Sequence, residues 1–319
     1  MEVEQIRLND EDRIFFAAFR FGVIQKPELE KGEKEYISRL LEKFVMNVTA
    51  LNNYLDCPIR FYYSSLVRVP MAKSEAAEFG TAVHAALSDF INAMMNNNKV
   101  YPSKQFLIER FLYHINSRRE VFTKESLQRF TEHGETVLDK YFDKYYNPAP
   151  TGDFILTEYP LTKVVVNNVP LKGFTDKIQF WKNDIIITDY KTGNLAKAKL
   201  RGDLDLPGSE KRPQGGNYWR QAVFYKILVD NLPGKSWKVL LTQFDFVEPN
   251  TKNDFDIEKL DITKEEVDIV TKQITDTWGK IQEQDFYTGC GKPDCEWCNF
   301  TKNNNLAVAL HELEEEPAD

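Results

Sequence analysis

The stretch Leu171–Gly193, LKGFTDKIQFWKNDIIITDYKTG, constrains the fold of this chain more than any other. Leu171 to Trp181 is rich in β-branched and aromatic residues, Lys182-Asn183-Asp184 supplies a polar turn, and Ile185-Ile186-Ile187 opens a second apolar run. The pattern predicts a β-hairpin. Three consecutive isoleucines suit a strand covered on both faces, and this one runs through Thr188 into Asp189, Tyr190 and Lys191 before stopping at Thr192-Gly193. The charged residues therefore emerge where the buried strand ends. Asp189 and Lys191, two residues apart, project from one strand face, and the antiparallel partner brings Asp176 near. Two carboxylates and a lysine at such a mouth make a compact site for a divalent cation. Hard oxygen ligands favour magnesium or manganese. The plainer alternative is a surface ion pair at a strand end.

The rest of the chain supplies a core and a helical cover. With 319 residues and 42% hydrophobic content it has room for one large domain or two modest ones. No run of about eighteen apolar residues marks a membrane span, and the acidic start MEVEQIRLNDEDR is unlike a secretory leader, so a cytoplasmic protein is expected. A net charge of −8 argues against a protein that coats nucleic acid non-specifically, while leaving room for a local basic groove. Residues 1–46 read as a helical N-terminal extension carrying Phe15, Phe16, Phe19 and Phe21. Helices are expected from Asn47 to Pro58, from Ser74 to the Asn96-Asn97-Asn98 stop, and over Lys104–Ser117 and Lys124–Tyr146, with a break at Pro148-Ala149-Pro150. From Phe154 the pattern alternates, and Asn167-Asn168 marks a turn into the central hairpin. A polar connection with Lys197, Lys199, Arg201, Lys211 and Arg212 follows, its length suggesting a mobile loop. A helix from Tyr218 to Asn231, a strand from Trp237 to Val247, a helix from Thr263 to Gln284 and an acidic tail over 306–319 complete the chain. Gly234-Lys235-Ser236 lacks the glycine that a phosphate loop requires, so no motor is encoded.

Phosphodiester hydrolysis needs an activated water and positive charge where the pentacoordinate phosphorus and the leaving oxygen gather negative charge. A carboxylate-bound cation and Lys191 together meet those needs. In five ordered stretches the chain resembles the RecB-type nuclease module of the PD-(D/E)XK superfamily, as found in RecB, AddA and AddB proteins. These are Leu51-Asn52-Asn53-Tyr54-Leu55-Asp56-Cys57-Pro58 with the aromatics Phe61-Tyr62-Tyr63, then Gly80-Thr81-Ala82-Val83-His84, then Gly173-Phe174-Thr175-Asp176-Lys177-Ile178. The signature Asp189-Tyr190-Lys191-Thr192-Gly193 and the helical Gln221-Ala222-Val223-Phe224-Tyr225 follow.

The resemblance covers roughly Val48 to Phe300. It implies an α/β, restriction-endonuclease-like mixed sheet core with flanking helices and a helical N-terminal region, in a nuclease domain over 47–305 with a helical insertion at about 85–148. It also implies metal ligation by His84, Asp176, Asp189 and the Tyr190 carbonyl, with Lys191 as the catalytic lysine and Gln221 and Tyr225 lining the same site. Glu158 matches a glutamate often seen one strand earlier in that family, and a solvated strand-edge charge explains it equally well.

The implied activity is that of a metal-dependent DNA exonuclease or end-processing nuclease in repair or recombination. Its partners would be DNA, as single strands or duplex ends, and a helicase, partnered or fused; Lys197, Lys199, Arg201, Lys211 and Arg212 would contact phosphates. A catalytically silent DNA-binding scaffold and a metal-dependent phosphoesterase for small substrates are the rivals. Cys57, Cys290, Cys295 and Cys298 are too few for a disulfide framework and crowd at the C-terminal end. In AddB-type members four cysteines hold a four-iron cluster. Here the last expected position is Asn304, with Cys290 as a candidate replacement. A 4Fe–4S cluster, zinc and merely packed thiols all stay open.

Overall fold

Side-chain caps written in the sequence start the helices of the N-terminal half. Asn47, Ser74, Ser103 and Thr123 each accept a backbone N–H three residues on, at 2.8, 3.1, 3.2 and 3.1 Å. The computed structural model describes residues 34–146 and 152–302. The expected extension up to residue 33, the Pro148-Ala149-Pro150 break, Asn304 and the acidic tail lie outside the described residues. Helices α1 (Lys34–Glu42), α2 (Val48–Asp56) and α3 (Pro58–Phe61) come first, α3 widening into a π turn over Tyr62–Val67. Cys57 is extended between α2 and α3, and Pro58 occupies a first-turn position of α3 that its missing N–H suits. Then follow α4 (Glu75–Asn96), α5 (Lys104–Asn116) and α6 (Lys124–Tyr145).

The sheet is mixed, with five strands in the order of the chain: β1 (Phe154–Val166), β2 (Val169–Trp181), β3 (Asp184–Lys191), β4 (Lys238–Phe246) and β5 (Asp256–Leu260). Strands β1 to β3 form an antiparallel meander, β4 lies parallel to β3, and β5 runs antiparallel to β4. A parallel neighbour requires a crossover. It is made by the segment holding α7 (Leu195–Leu200) and α8 (Asn217–Asp230), while α9 (Lys264–Gln282) closes the fold behind a Thr263–Glu266 capping box.

Both faces of the sheet are covered, as the triple isoleucine requires. On one face Ile178, Ile185, Ile187 and Phe244 join α2, α8 and α9 through Leu51, Phe224 and Ile274 in the larger core. On the other, α4 to α6 pack Phe90, Phe111 and Leu138 with Ile155, Tyr190 and Val247. A third cluster gathers Cys57, Ile59, Cys295, Trp297 and Cys298.

Two expectations need correcting. The connection after β3 is not an open loop: it carries α7, and the Asp203 carbonyl caps α8 by accepting the Tyr218 and Trp219 N–H groups at 2.8 and 3.0 Å. Gly216 permits this approach, since a Cβ there would stand 2.2 Å from that carbonyl oxygen. Strand β5 was not foreseen, because a short, half-exposed edge strand rich in charge gives little alternation to read.

Candidate active site

The ends of β2 and β3 and the middle of α4 meet at one point. Register pairs Lys177 with Thr188, so Asp176 and Asp189 face each other one step further along. Asp176 Oδ2 accepts the Tyr190 N–H at 2.7 Å and lies 3.3 Å from His84 Nδ1. His84 reaches it because α4 crosses the end of β3 at Gly80, where a Cβ would come within 2.9 Å of Thr192 Oγ1. The glycine and the histidine one turn later are therefore two halves of one packing contact.

Glu158 of β1 completes the group. The paired residues Thr157 with Lys177 and Tyr159 with Thr175 flank a gap opposite Asp176, and Glu158 fills it with a left-handed φ of 48°. A non-glycine residue in that region costs roughly 1–3 kcal/mol and points to a local demand. Here the distortion brings its carboxylate within 4.8 Å of the His84 and Asp176 ligand atoms. Burial and then the Asp176 charge push the Glu158 carboxyl above its usual range.

Asp189 and Lys191 share a strand face, with Nζ 2.6 Å from Asp189 Oδ2. The lysine directs its hydrogen bond to Gln221 Oε1 at 2.9 Å. Asp189 Oδ1 accepts from Gln221 Nε2 and from the Tyr225 hydroxyl, each at 2.8 Å. Gln221 and Tyr225 stand one turn apart on α8 and act on the same carboxylate. The Lys191 ammonium also lies 4.4 Å from the Tyr218 ring centre and 5.1 Å from that of Phe244. These two aromatics were not legible in advance, since their approach depends on the crossover.

Behind the site, Tyr190 turns its ring to the opposite sheet face, with Lys177 Nζ 5.3 Å from the ring centre. There Tyr141 donates to Asp245 Oδ2 at 2.6 Å.

A groove of about 580 Å³ runs along α4 past Ala77, Gly80, Thr81, His84 and Ser88 to Glu158 and Thr192. Its small side chains leave Glu158 open to solvent at one side, while Asp189 stays buried. His84, Glu158 and Asp176 offer ligand atoms within 4.8 Å of one another, beside the buried Asp189, whose Oδ2 is paired with Lys191 Nζ at 2.6 Å. The imidazole and these acids are a donor set suited to a divalent cation.

The four cysteines meet as well, from α2–α3 and from the C-terminal segment. All are free thiols, and Cys298 Sγ lies 3.7 Å from both Cys57 Sγ and Cys290 Sγ. All four sulfurs lie within 4.8 Å of one another. A tetrahedral zinc with bonds of about 2.3 Å sets its sulfurs about 3.8 Å apart. The cysteines of an iron–sulfur cube stand farther apart, each on its own iron. The spacing thus fits a single ion, although the four-thiol set is compatible with either metal centre.

The five basic residues of the connection do not share one place. Arg201 is 2.7 Å from Asp203, Lys199 is 3.0 Å from Glu258, Lys211 donates to the Leu200 carbonyl at 3.0 Å, and Arg212 lies between Asp56 and Asp203. Arg201 and Arg212 line a cavity beside the cysteines; Lys197, Lys199 and Lys211 do not.

A β-strand pair ending in two acids and a lysine, under a helix that carries a histidine, is the arrangement of a restriction-endonuclease-like nuclease core. The chain belongs to the PD-(D/E)XK nuclease superfamily, whose family model matches residues 45–302. It is similar to the crystal structure of a candidate exonuclease from Eubacterium rectale, at 14% identity and a TM-score of 0.48, over 85% of this chain and 93% of that one. No curated protein matches the chain. Among the described residues no helix is long and apolar enough to cross a membrane.

Proposed function

We propose that this protein is a divalent-metal-dependent deoxyribonuclease of the exonuclease or end-processing kind, working in DNA repair or recombination beside a helicase. The observation that carries the reading is the convergence of His84, Glu158 and Asp176 ligand atoms within 4.8 Å of one another, beside the buried Asp189–Lys191 pair. Membership of a nuclease superfamily supports it. His84, Asp176, Asp189, Glu158 and the Tyr190 carbonyl would hold the cation. Once bound, a divalent ion polarises a phosphoryl oxygen and makes water nucleophilic near neutral pH. The protein's own groups do the rest. Lys191, held between the Asp189 carboxylate and Gln221 Oε1, stays protonated and offers its charge to the phosphorane and the leaving oxygen. Gln221 and Tyr225 fix the Asp189 carboxylate so that its second oxygen keeps one direction.

Digestion of end-labelled single- and double-stranded DNA with magnesium, manganese or chelator tests this reading. Lys191→Ala is expected to keep manganese affinity, measured by calorimetry, and to lose about 10²-fold or more in cleavage rate. Asp176→Ala is expected to weaken the manganese isotherm itself. A Lys191→Ala protein that cleaves at the wild-type rate removes the assignment.

A further inference from the structure

Tyr218, whose ring centre lies 4.4 Å from the Lys191 ammonium, also lines a second cavity of about 400 Å³, within the range of ligand-binding pockets. Its walls come from four separated parts of the chain: the α2–α3 junction, the segment after α7, the start of α8 and the cysteine-bearing C-terminal segment. They bring together Arg60, Arg201, Arg212 and Lys292 with Asp56, Asp203 and Asp294, a balance of +1 among these arginine, lysine and aspartate side chains, beside Cys57, Cys290 and Cys295 of the thiol cluster.

The cations are unequally committed. Arg201 is bound closely to Asp203 at 2.7 Å. Arg60 stands 3.5 Å from Asp56, and Arg212 stands 3.5 Å from Asp56 and 3.4 Å from Asp203, carboxylate contacts beyond the short distances of strong charge-assisted bonds, while Arg212 Nε donates to the Arg201 carbonyl at 3.2 Å. The Lys292 ammonium is exposed and makes no ion pair or hydrogen bond among the described residues, while its backbone carbonyl accepts the Cys295 N–H at 3.2 Å. Guanidinium forks with slack partners are what an incoming phosphate captures bidentately. Tyr218 is half-buried and links the two sites, its ring facing the catalytic lysine and its side chain also lining this cavity.

We infer that this cavity is a phosphate subsite for single-stranded nucleic acid, holding a backbone phosphate that flanks the one at the Asp189–Lys191 centre. The inference rests on the nuclease reading for its orientation. Cations that track a backbone beside an aromatic ring are the usual means of gripping a single strand, and a pocket closed by four chain segments does not admit a duplex.

The test measures binding, so it does not depend on turnover. Fluorescence anisotropy of a labelled oligothymidylate is followed against salt, with the full chain and no added divalent cation. Removing one phosphate-binding cation from a single-strand complex reduces the slope of log K against log salt by about 0.7. Lys292→Ala is expected to bind several-fold more weakly with that loss of slope, and Asp294→Asn, which deletes an opposing exposed carboxylate, to bind more tightly. Lys272→Ala, on the exposed side of α9, controls for general charge. If either Lys292→Ala or Asp294→Asn matches the wild type or the Lys272→Ala control, the subsite is overturned. That result leaves the nuclease reading intact wherever DNA is still cleaved. Conversely, the expected shifts in a protein that never cleaves DNA would keep the subsite and remove the nuclease.

Discussion

Glu158 shows how one backbone torsion can assemble a site. Its positive φ interrupts β1 opposite Asp176 and adds a third acid to a place that already holds two. Without a cation, burial first and the Asp176 charge second raise its pKa, so the ionised side chain opposes folding. Glu158→Gln is therefore expected to raise the Tm of the metal-free protein at neutral pH. The sign follows from linkage: a carboxyl whose folded pKa is raised destabilises above that pKa and costs nothing below its unfolded value of 4.5, where variant and parent should converge. With manganese present the order should reverse, because a ligand has been lost. Thermal melts across pH, with and without the ion, check both halves. Asp189 and Lys191 were legible from strand periodicity alone, because two-residue spacing fixes their common face. His84, Gln221 and Tyr225 were legible only through the motif resemblance. Glu158 could be weighed but not placed, since nothing in its neighbours predicts a left-handed residue inside a strand. Tyr218 and Phe244 came into view only once the α7–α8 crossover was in place.

At the scale of elements, the joints between helices are polar where the sequence offered no sign of it. Arg220 of α8 is 2% exposed and has no carboxylate within ion-pair distance among the described residues. Its guanidinium donates to Asn52 of α2 and Gln273 of α9, each at 2.7 Å, and to the Gln214 and Gly215 carbonyls at 2.8 and 3.0 Å. Burial pushes its pKa down to about 10, and the Asp56 charge opposes the fall. Arg220→Leu would leave Asn52, Gln273 and the Gly215 carbonyl without donors, the Gln214 carbonyl keeping its bond from Gln273 Nε2 at 2.7 Å, so a loss of about 3 kcal/mol or more is expected in urea unfolding, with the denaturant slope unchanged. An unaltered midpoint would mean that water replaces the guanidinium. Helix starts were legible because Asn47, Ser74, Ser103, Thr123 and Thr263 are chemical caps. Arg220 was not, because a charged residue within an apolar helical run reads as an exposed one until three elements close around it.

Across the whole molecule the cysteine centre joins α2–α3 to the segment after α9. Cys57 and Cys298 are separated by 241 residues of sequence and 3.7 Å of space. Closing so long a loop is costly to the unfolded chain, so an ion shared by all four thiols would stabilise the fold substantially. Cys57→Ser is expected to lower Tm by several degrees and to abolish stoichiometric zinc in elemental analysis. Protein that carries iron and sulfide instead of zinc would show that the thiols open to a cluster. Protein that carries no metal and melts unchanged in the variant would leave them as packed side chains.

That 241-residue separation also orders events in time. At about 5–20 residues per second, Cys57 leaves the ribosome on the order of 10–50 s before Cys298. For most of that interval no other cysteine has been made, while the groove helices, the five described strands and the crossover are translated. The four-thiol set is incomplete on a shorter product, so an ion held by all four thiols would mark a chain translated through Cys298.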